Sequence, residues 1–264
     1  AYLKYYYPVE YMAALLTSVL DKSDKLAGYI NSCKAMGIEI LPPDVNEGDA
    51  GFAAIGGKLR YALTAIKGVG RNVIDGIVAE REAGGPFRDI QDFISRMAGG
   101  DINKRAIESF IKAGAFDSLG GNRRQYMSVY SLIMDQLASD RKSNLQGQMS
   151  LFDLADEEEK QSLQIELPKH LEEYDKEMIL AFEKEVLGVY VSGHPLEQYA
   201  SLWGKTVPNY TTDLYYDEET GRMKADDGSK ITIAGMITQK KNKFTKKNEA
   251  MAFVTLEDLN GHAE

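Results

Sequence analysis

The run Lys67-Gly68-Val69-Gly70-Arg71-Asn72 places one apolar residue between two glycines and a cation on either side of them. Two glycines let a backbone turn tightly, and Val69 is positioned to plug the gap beneath the turn. Val73, Ile74, Ile77 and Val78 follow at helical spacing and predict a helix that packs inward on that face. The first amides of such a helix have no intrahelical acceptor, and the helix dipole strengthens their attraction for an anion. With Lys67 and Arg71 beside them, the expected chemistry is a grip on phosphate that does not read bases. A branched side chain at Gly70 is expected to disturb this turn. The competing reading is an ordinary helical turn that happens to use glycines.

Three other places carry chemistry. A looser unit runs from a helix at Asn103 to Lys112, through the turn KAGAF, to a helix beginning near Asn122. Lys104, Arg105, Lys112, Arg123 and Arg124 give it positive charge, but its turn lacks the glycine-apolar-glycine pattern, so it could merely support the first. Gln148-Met149-Ser150-Leu151-Phe152 sets three apolar anchors and one amide on an acidic, polar stretch. Such a peptide either buries its anchors in a partner's pocket or folds back onto its own domain. Lys240, Lys241, Lys243, Lys246 and Lys247 surround Phe244. A basic loop carrying an aromatic holds single-stranded nucleic acid through charge and stacking, whereas the plainer reading is a solvated loop.

The elements that would position these groups follow from periodicity. Pro8 suits a first helical turn, and Val9, Met12, Leu16, Val19 and Leu20 continue a helix to the DKSD break. A second helix is predicted from about Asp24 to Met36, stopped at Gly37, followed by an extended IEIL closed by Pro42 and Pro43. From Lys58 to about Leu137 helix follows helix, one of them ending at Lys67. Residues 139–166 lose periodicity and become acidic, as a linker does. A helix returns through EEYDKEMILAFEKEVLGVYV with Met178, Phe182 and Leu187 near one face, and is expected to stop at SGHP before Pro195. ITIAGMITQKKNKFTKKNEAMAFVTLED alternates apolar and polar residues on both sides of its lysines and predicts a two-stranded hairpin, which needs further strands for stability.

Composition narrows the function classes. A chain of 264 residues, 44% hydrophobic and 27% charged, has room for about two globular domains, and its longest apolar stretch, Met12 to Leu16, is far too short to span a bilayer. The opening AYLKYYYPVEY has no initiator Met and no signal-peptide pattern, so the chain is read as cut from a longer polypeptide. Cys33 shares a helical face with Leu26, Tyr29 and Ile30 and is read as core. His170, His194 and His262 stand apart, which gives no metal-ligand spacing and makes a cytosolic, metal-free protein the default expectation. A net charge of -9 excludes a protein that coats nucleic acid over its whole surface, but residues 56–72 carry Lys58, Arg60, Lys67 and Arg71 with no acid. Any contact with DNA is therefore expected to be local.

Taken in order, AYLKYYYPVEYMAALL, ILPPDVN, AIKGVG, NKRAIESFIKAGAFD, GQMSLF, EKEVLGVYVSGHPL and the closing ITIAGMITQKKNKFTKKNEAMAFVTLEDLNG resemble the alpha subunit of bacterial DNA polymerase III, and the resemblance covers essentially the whole chain. The turn at Lys67 to Asn72 resembles a helix-hairpin-helix motif, and QMSLF resembles the sliding-clamp-binding pentapeptide of bacterial replication proteins.

The resemblance implies a mainly α fold with a small β part. It implies the end of the fingers domain at residues 1–57, tandem helix-hairpin-helix units that bind duplex DNA at 58–138, and a linker with the clamp motif at 139–166. A helical connector at 167–228 and the start of an oligonucleotide-binding (OB) barrel at 229–264 complete it. Lys67 to Asn72, with Lys104, Arg105, Arg123 and Arg124, would contact duplex phosphates. Lys240, Lys241, Lys243, Phe244, Lys246 and Lys247 would meet single-stranded template. Gln148 to Phe152 would bind the clamp, with other replisome subunits as further partners and no membrane. Catalysis and its Mg would belong to a palm domain absent from these residues, leaving no catalytic residue, metal or cofactor here. Rival readings are an error-prone relative, a DNA-binding scaffold, and a helix-hairpin-helix repair enzyme; the last would need a catalytic Lys or Asp beside the hairpin, and no such constellation with an apolar pocket is visible.

Overall fold

Pro8 opens a helix as expected. The computed structural model, which describes residues 2–145, 165–203, 205–217 and 222–264, has α1 (Tyr2–Tyr6), α2 (Pro8–Thr17) and α3 (Ser23–Ala35) at this end. α2 is shorter than the apolar periodicity, because the hydroxyls of Thr17 and Ser18 donate back to the carbonyls of Ala13 and Leu15 where the helix stops. Gly37, at φ +72°, turns the chain out of α3. A small sheet follows: β1 (Ile40–Leu41) lies parallel to β3 (Lys58–Arg60), and β2 (Ala53–Ile55) pairs antiparallel with β3 on its other side. The helix expected to end at Lys67 is absent. β3 instead passes through Tyr61 and a single 3-10 turn at Leu63–Ala65, too few residues for the expected α-helix.

Beyond the turn come α4 (Arg71–Gly84), α5 (Ile90–Met97), α6 (Lys104–Ala113) and α7 (Arg123–Leu145). α5 and α6 are capped by Asp89 and Asn103, whose side chains accept from the third amide of each helix. Their apolar faces meet in an aromatic cluster in which Phe93 makes edge contacts with Phe87, Phe110 and Phe116. One core runs from Met12 to Val189, so no separate core begins at residue 58. Cys33 lies in it, fully buried, and burial pushes its thiol up to about 11.

Residues 165–192 form a strap against this body. The Ile165 amide donates to Gln91, Gln125 and Asn122 donate to the carbonyls of Pro168 and Leu171, and Lys34 donates to the Tyr190 carbonyl. Within the strap, α8 (Lys176–Leu187) buries Leu180, Glu183, Val186 and Leu187, while Met178 is exposed and Phe182 half-buried against Tyr174. The expected face was therefore rotated. α8 also ends before SGHP, because Gly188 at φ +79° caps it.

The chain divides into two compact units, Ala1–Ser192 and Gly193–Glu264, so the stretch read as one connector contributes to both. In the second unit β4 (Tyr216–Asp217) pairs with β5 (Arg222–Met223), and β6 (Met236–Phe244), β7 (Ala250–Glu257) and β8 (His262–Ala263) form an antiparallel sheet in that order. The Asp258 carboxylate accepts from the amides of Thr211, Asn260 and Gly261, which ties the β7–β8 turn to a 3-10 turn at Thr211–Leu214. The whole is mostly helical with small sheets, and its C-terminal strands fit the start of an OB-like fold.

Candidate nucleic-acid interface

The glycine turn between Leu63–Ala65 and α4 needs a glycine at one position. Gly68 has φ +83°, and a Cβ there would lie 3.2 Å from Ser109 Oγ and 3.5 Å from Arg105 Nε, both on α6. Gly70 has φ -76° and nothing within 4 Å of where a Cβ would stand, so neither backbone strain nor a Cβ clash supports the expected disturbance by a branched side chain there. Val69 is half-buried against the core, and Val73, Ile74 and Ile77 are buried beneath it, as their spacing predicted.

No side chain caps α4, and among the described residues the amides of Arg71 and Asn72 have no acceptor. Both residues are exposed, as are Lys67 and Arg105. The turn is braced from behind: the Lys67 amide donates to the Val186 carbonyl at 2.8 Å, and the buried Tyr61 hydroxyl donates to the Leu187 carbonyl at 3.1 Å. Burial raises the Tyr61 phenol far above its ordinary range, which keeps it a neutral donor. The C-terminus of α8 thus fixes the backbone of the turn, while Arg105 brings a third cation beside Lys67 and Arg71. Among the described residues Arg71 is paired with exposed Asp75 on its own helix, a contact that a phosphate could replace at small cost.

The second hairpin, α6 to α7, is organised differently. Gly114, at φ +79°, and a 3-10 turn at Asp117–Leu119 lead to α7. Asn122 and Gln125 cap each other's amides, and the Glu173 carboxylate of the strap accepts from the amides of Arg123 at 2.9 Å and Arg124 at 3.3 Å. Arg123, expected at the DNA surface, is 4% exposed. Its guanidinium bonds Asp117 at 2.9 Å and the Lys112 carbonyl at 3.1 Å, and lies 3.6 Å from fully buried Glu183. Burial raises the Asp117 carboxyl despite the bonds and charge of Arg123. Lys104 is paired with Asp135, Lys112 lies between Glu108 and Glu185, and exposed Arg124 lies over the Tyr174 ring. Of the cations assigned to this half, Arg105 is the one the structure brings to the glycine turn.

Lys240, Lys241, Lys243 and Phe244 stand in β6 and not in a loop; only Lys246 and Lys247 occupy the turn. The register sets Lys241 and Lys243 opposite Phe253 and Met251, with Lys243 Nζ 5.0 Å from the Phe253 ring centroid. Lys240 and Phe244 point to the other face, Phe244 being 73% exposed. The five lysines are thus split between two faces and a turn. Gln148 to Phe152 lie outside the described residues. Among the described residues no group of three or more His, Cys, Asp or Glu could hold a metal ion, and no helix is long and apolar enough to cross a membrane.

A glycine turn braced between apolar elements, with open helix amides and three cations, is the arrangement of a helix-hairpin-helix motif, and the helix-hairpin-helix motif family matches residues 37–126. Along its whole length the chain is homologous to a segment of DNA polymerase III subunit alpha. It is 38% identical to that subunit from Saccharopolyspora erythraea over all of this chain and 22% of the relative. It is 37% identical to the Mycobacterium tuberculosis subunit over the same shares, and 37% identical to that of Thermus aquaticus over all of this chain and 20% of the relative. The chain thus spans about a fifth of the length of the relatives it matches.

Proposed function

We propose that this chain is a non-catalytic, DNA-holding part of a replicative DNA polymerase III alpha subunit, and that it grips the backbone of duplex DNA at the Lys67–Asn72 turn. The observation that carries this reading is the pair of acceptor-free amides of Arg71 and Asn72 beside the exposed cations Lys67, Arg71 and Arg105. Amides and cations so placed hold phosphate oxygens and leave base edges untouched. Replacing Lys67 and Arg71 together by Ala is expected to weaken binding to all duplex sequences alike and to flatten its salt dependence by about 0.9 in log-log slope per lost contact. Unchanged affinity and slope, measured by anisotropy with labelled duplex, would overturn it.

Two further assignments rest on sequence and homology. Gln148 to Phe152 bind the bacterial sliding clamp, and a peptide spanning Leu145 to Leu154 should bind such a clamp with micromolar affinity, about -8 kcal/mol; no binding at millimolar concentration would sink it. The β6–β7 hairpin contacts single-stranded template through its lysines and Phe244. There Phe244→Ala should cost roughly 1 to 3 kcal/mol of single-strand affinity, and a loss no greater than at an exposed control residue would mark a solvated strand end. Nucleotidyl transfer and its Mg are assigned to residues outside these 264, so the chain alone is expected to be inactive, working in the cytoplasm with other replisome subunits.

A further inference from the structure

The two hairpins differ in what sits on the first amides of the helix that follows. At α4 those amides are open; at α7 the strap has already delivered an anion. Glu173 Oε2 accepts from the Arg123 amide at 2.9 Å, and its Oε1 accepts from the Arg124 amide at 3.3 Å and from its own neighbour's amide, Tyr174, at 2.8 Å. The cation that would assist a phosphate there is also withdrawn, because Arg123 is held inward by Asp117 and Glu183. Backbone amides and guanidinium, the two components of a phosphate grip, are thus both consumed by carboxylates of the same chain.

We propose that Glu173 decides which hairpin takes a phosphate: it occupies the anion position of the second hairpin and competes there with the DNA backbone, so the duplex is held through the first. This rests on the duplex-binding reading above. The occupant is a half-buried carboxylate seated across the amides, tethered by a strap whose Leu171 and Pro168 carbonyls accept from the side chains of Asn122 and Gln125 at the start of α7. Tethering gives the carboxylate a high effective concentration, so a phosphate displaces it only when its charge is removed.

The test uses the whole 264-residue chain and labelled duplex across a salt series. Glu173→Gln is expected to raise affinity at low salt by about three- to tenfold and to steepen the log-log salt slope by up to about 0.9, one added phosphate contact. Glu172→Gln is the control, since it removes the same charge from an exposed neighbour, and should give a smaller gain with no change of slope. A Glu173→Gln gain no larger than that control overturns the proposal. Amide exchange in the unaltered protein is the second measurement. Without DNA the Arg123 and Arg124 amides should be protected and those of Arg71 and Asn72 unprotected, the latter pair gaining protection when duplex is added. Unprotected Arg123 and Arg124 amides before DNA is added would overturn the proposal even if the variant failed to fold. Loss of binding on removing Lys67 and Arg71, with no gain from Glu173→Gln, leaves the duplex reading standing and rejects only this one.

Discussion

The two hairpins of the first unit use the same residue types for opposite ends. Around Gly68 the cations are exposed and the helix amides open, while the fixing is done by neutral groups behind: Tyr61, Val186 and Leu187. Around Gly114 the cation is buried, the amides are filled, and charge itself does the fixing. A surface that must meet an external anion keeps its charges unsatisfied and takes its rigidity from hydrogen bonds that carry no net charge. A surface that only holds the fold can spend its charges internally, because a buried guanidinium is tolerable when carboxylates surround it.

The largest effect expected from this contrast is at Arg123. Arg123→Ala leaves Glu183 and Asp117 facing each other without a cation and should cost about 3 to 5 kcal/mol of stability, whereas Arg71→Ala, at an exposed pair, should cost less than about 0.5 kcal/mol. Urea denaturation measures both. Comparable losses at the two sites would erase the distinction between the hairpins. A smaller effect sharpens it: Gly68→Ala forces a side chain into φ +83° against Ser109, at a cost of roughly 1 to 2 kcal/mol, while Gly70→Ala should be nearly neutral. Thermal unfolding of the two variants checks this, and equal shifts would mean that the turn does not depend on the left-handed residue.

Much of the first hairpin was legible in the sequence. Two glycines around Val69 and the spacing of Val73, Ile74 and Ile77 are local signals, and local geometry obeyed them. The misreadings came where distant residues intervene. Arg123 looked like its neighbour Arg124, because a charged residue in sequence reads as solvated unless its partners are known. Those partners, Asp117 and Glu183, lie six and sixty positions away. Glu183 itself sits on α8, and it is fully buried because the amides of Val191 and Ser192 and the Arg123 guanidinium receive it. Glu173 carried no signal of its own beside Glu172, since only the fold distinguishes a carboxylate over a helix end from one in water. The apparent helix before Lys67 failed for a local reason: its apolar residues belong to β3 and a single 3-10 turn, and three residues cannot show a period.

The strap also bears on the order in which this protein acquires structure. The Tyr61 hydroxyl reaches a carbonyl 126 positions later in the chain, and Lys34 reaches one 156 positions later. During N-to-C synthesis the glycine turn leaves the ribosome well before the residues that brace it, so the first hairpin waits unbraced while more than a hundred further residues are made. Closing contacts of such long sequence separation is slow, and in that interval apolar positions around Tyr61 and Leu63 stay open to other chains. The braced form of the glycine turn is therefore reached late, once the chain has been extended past Ser192.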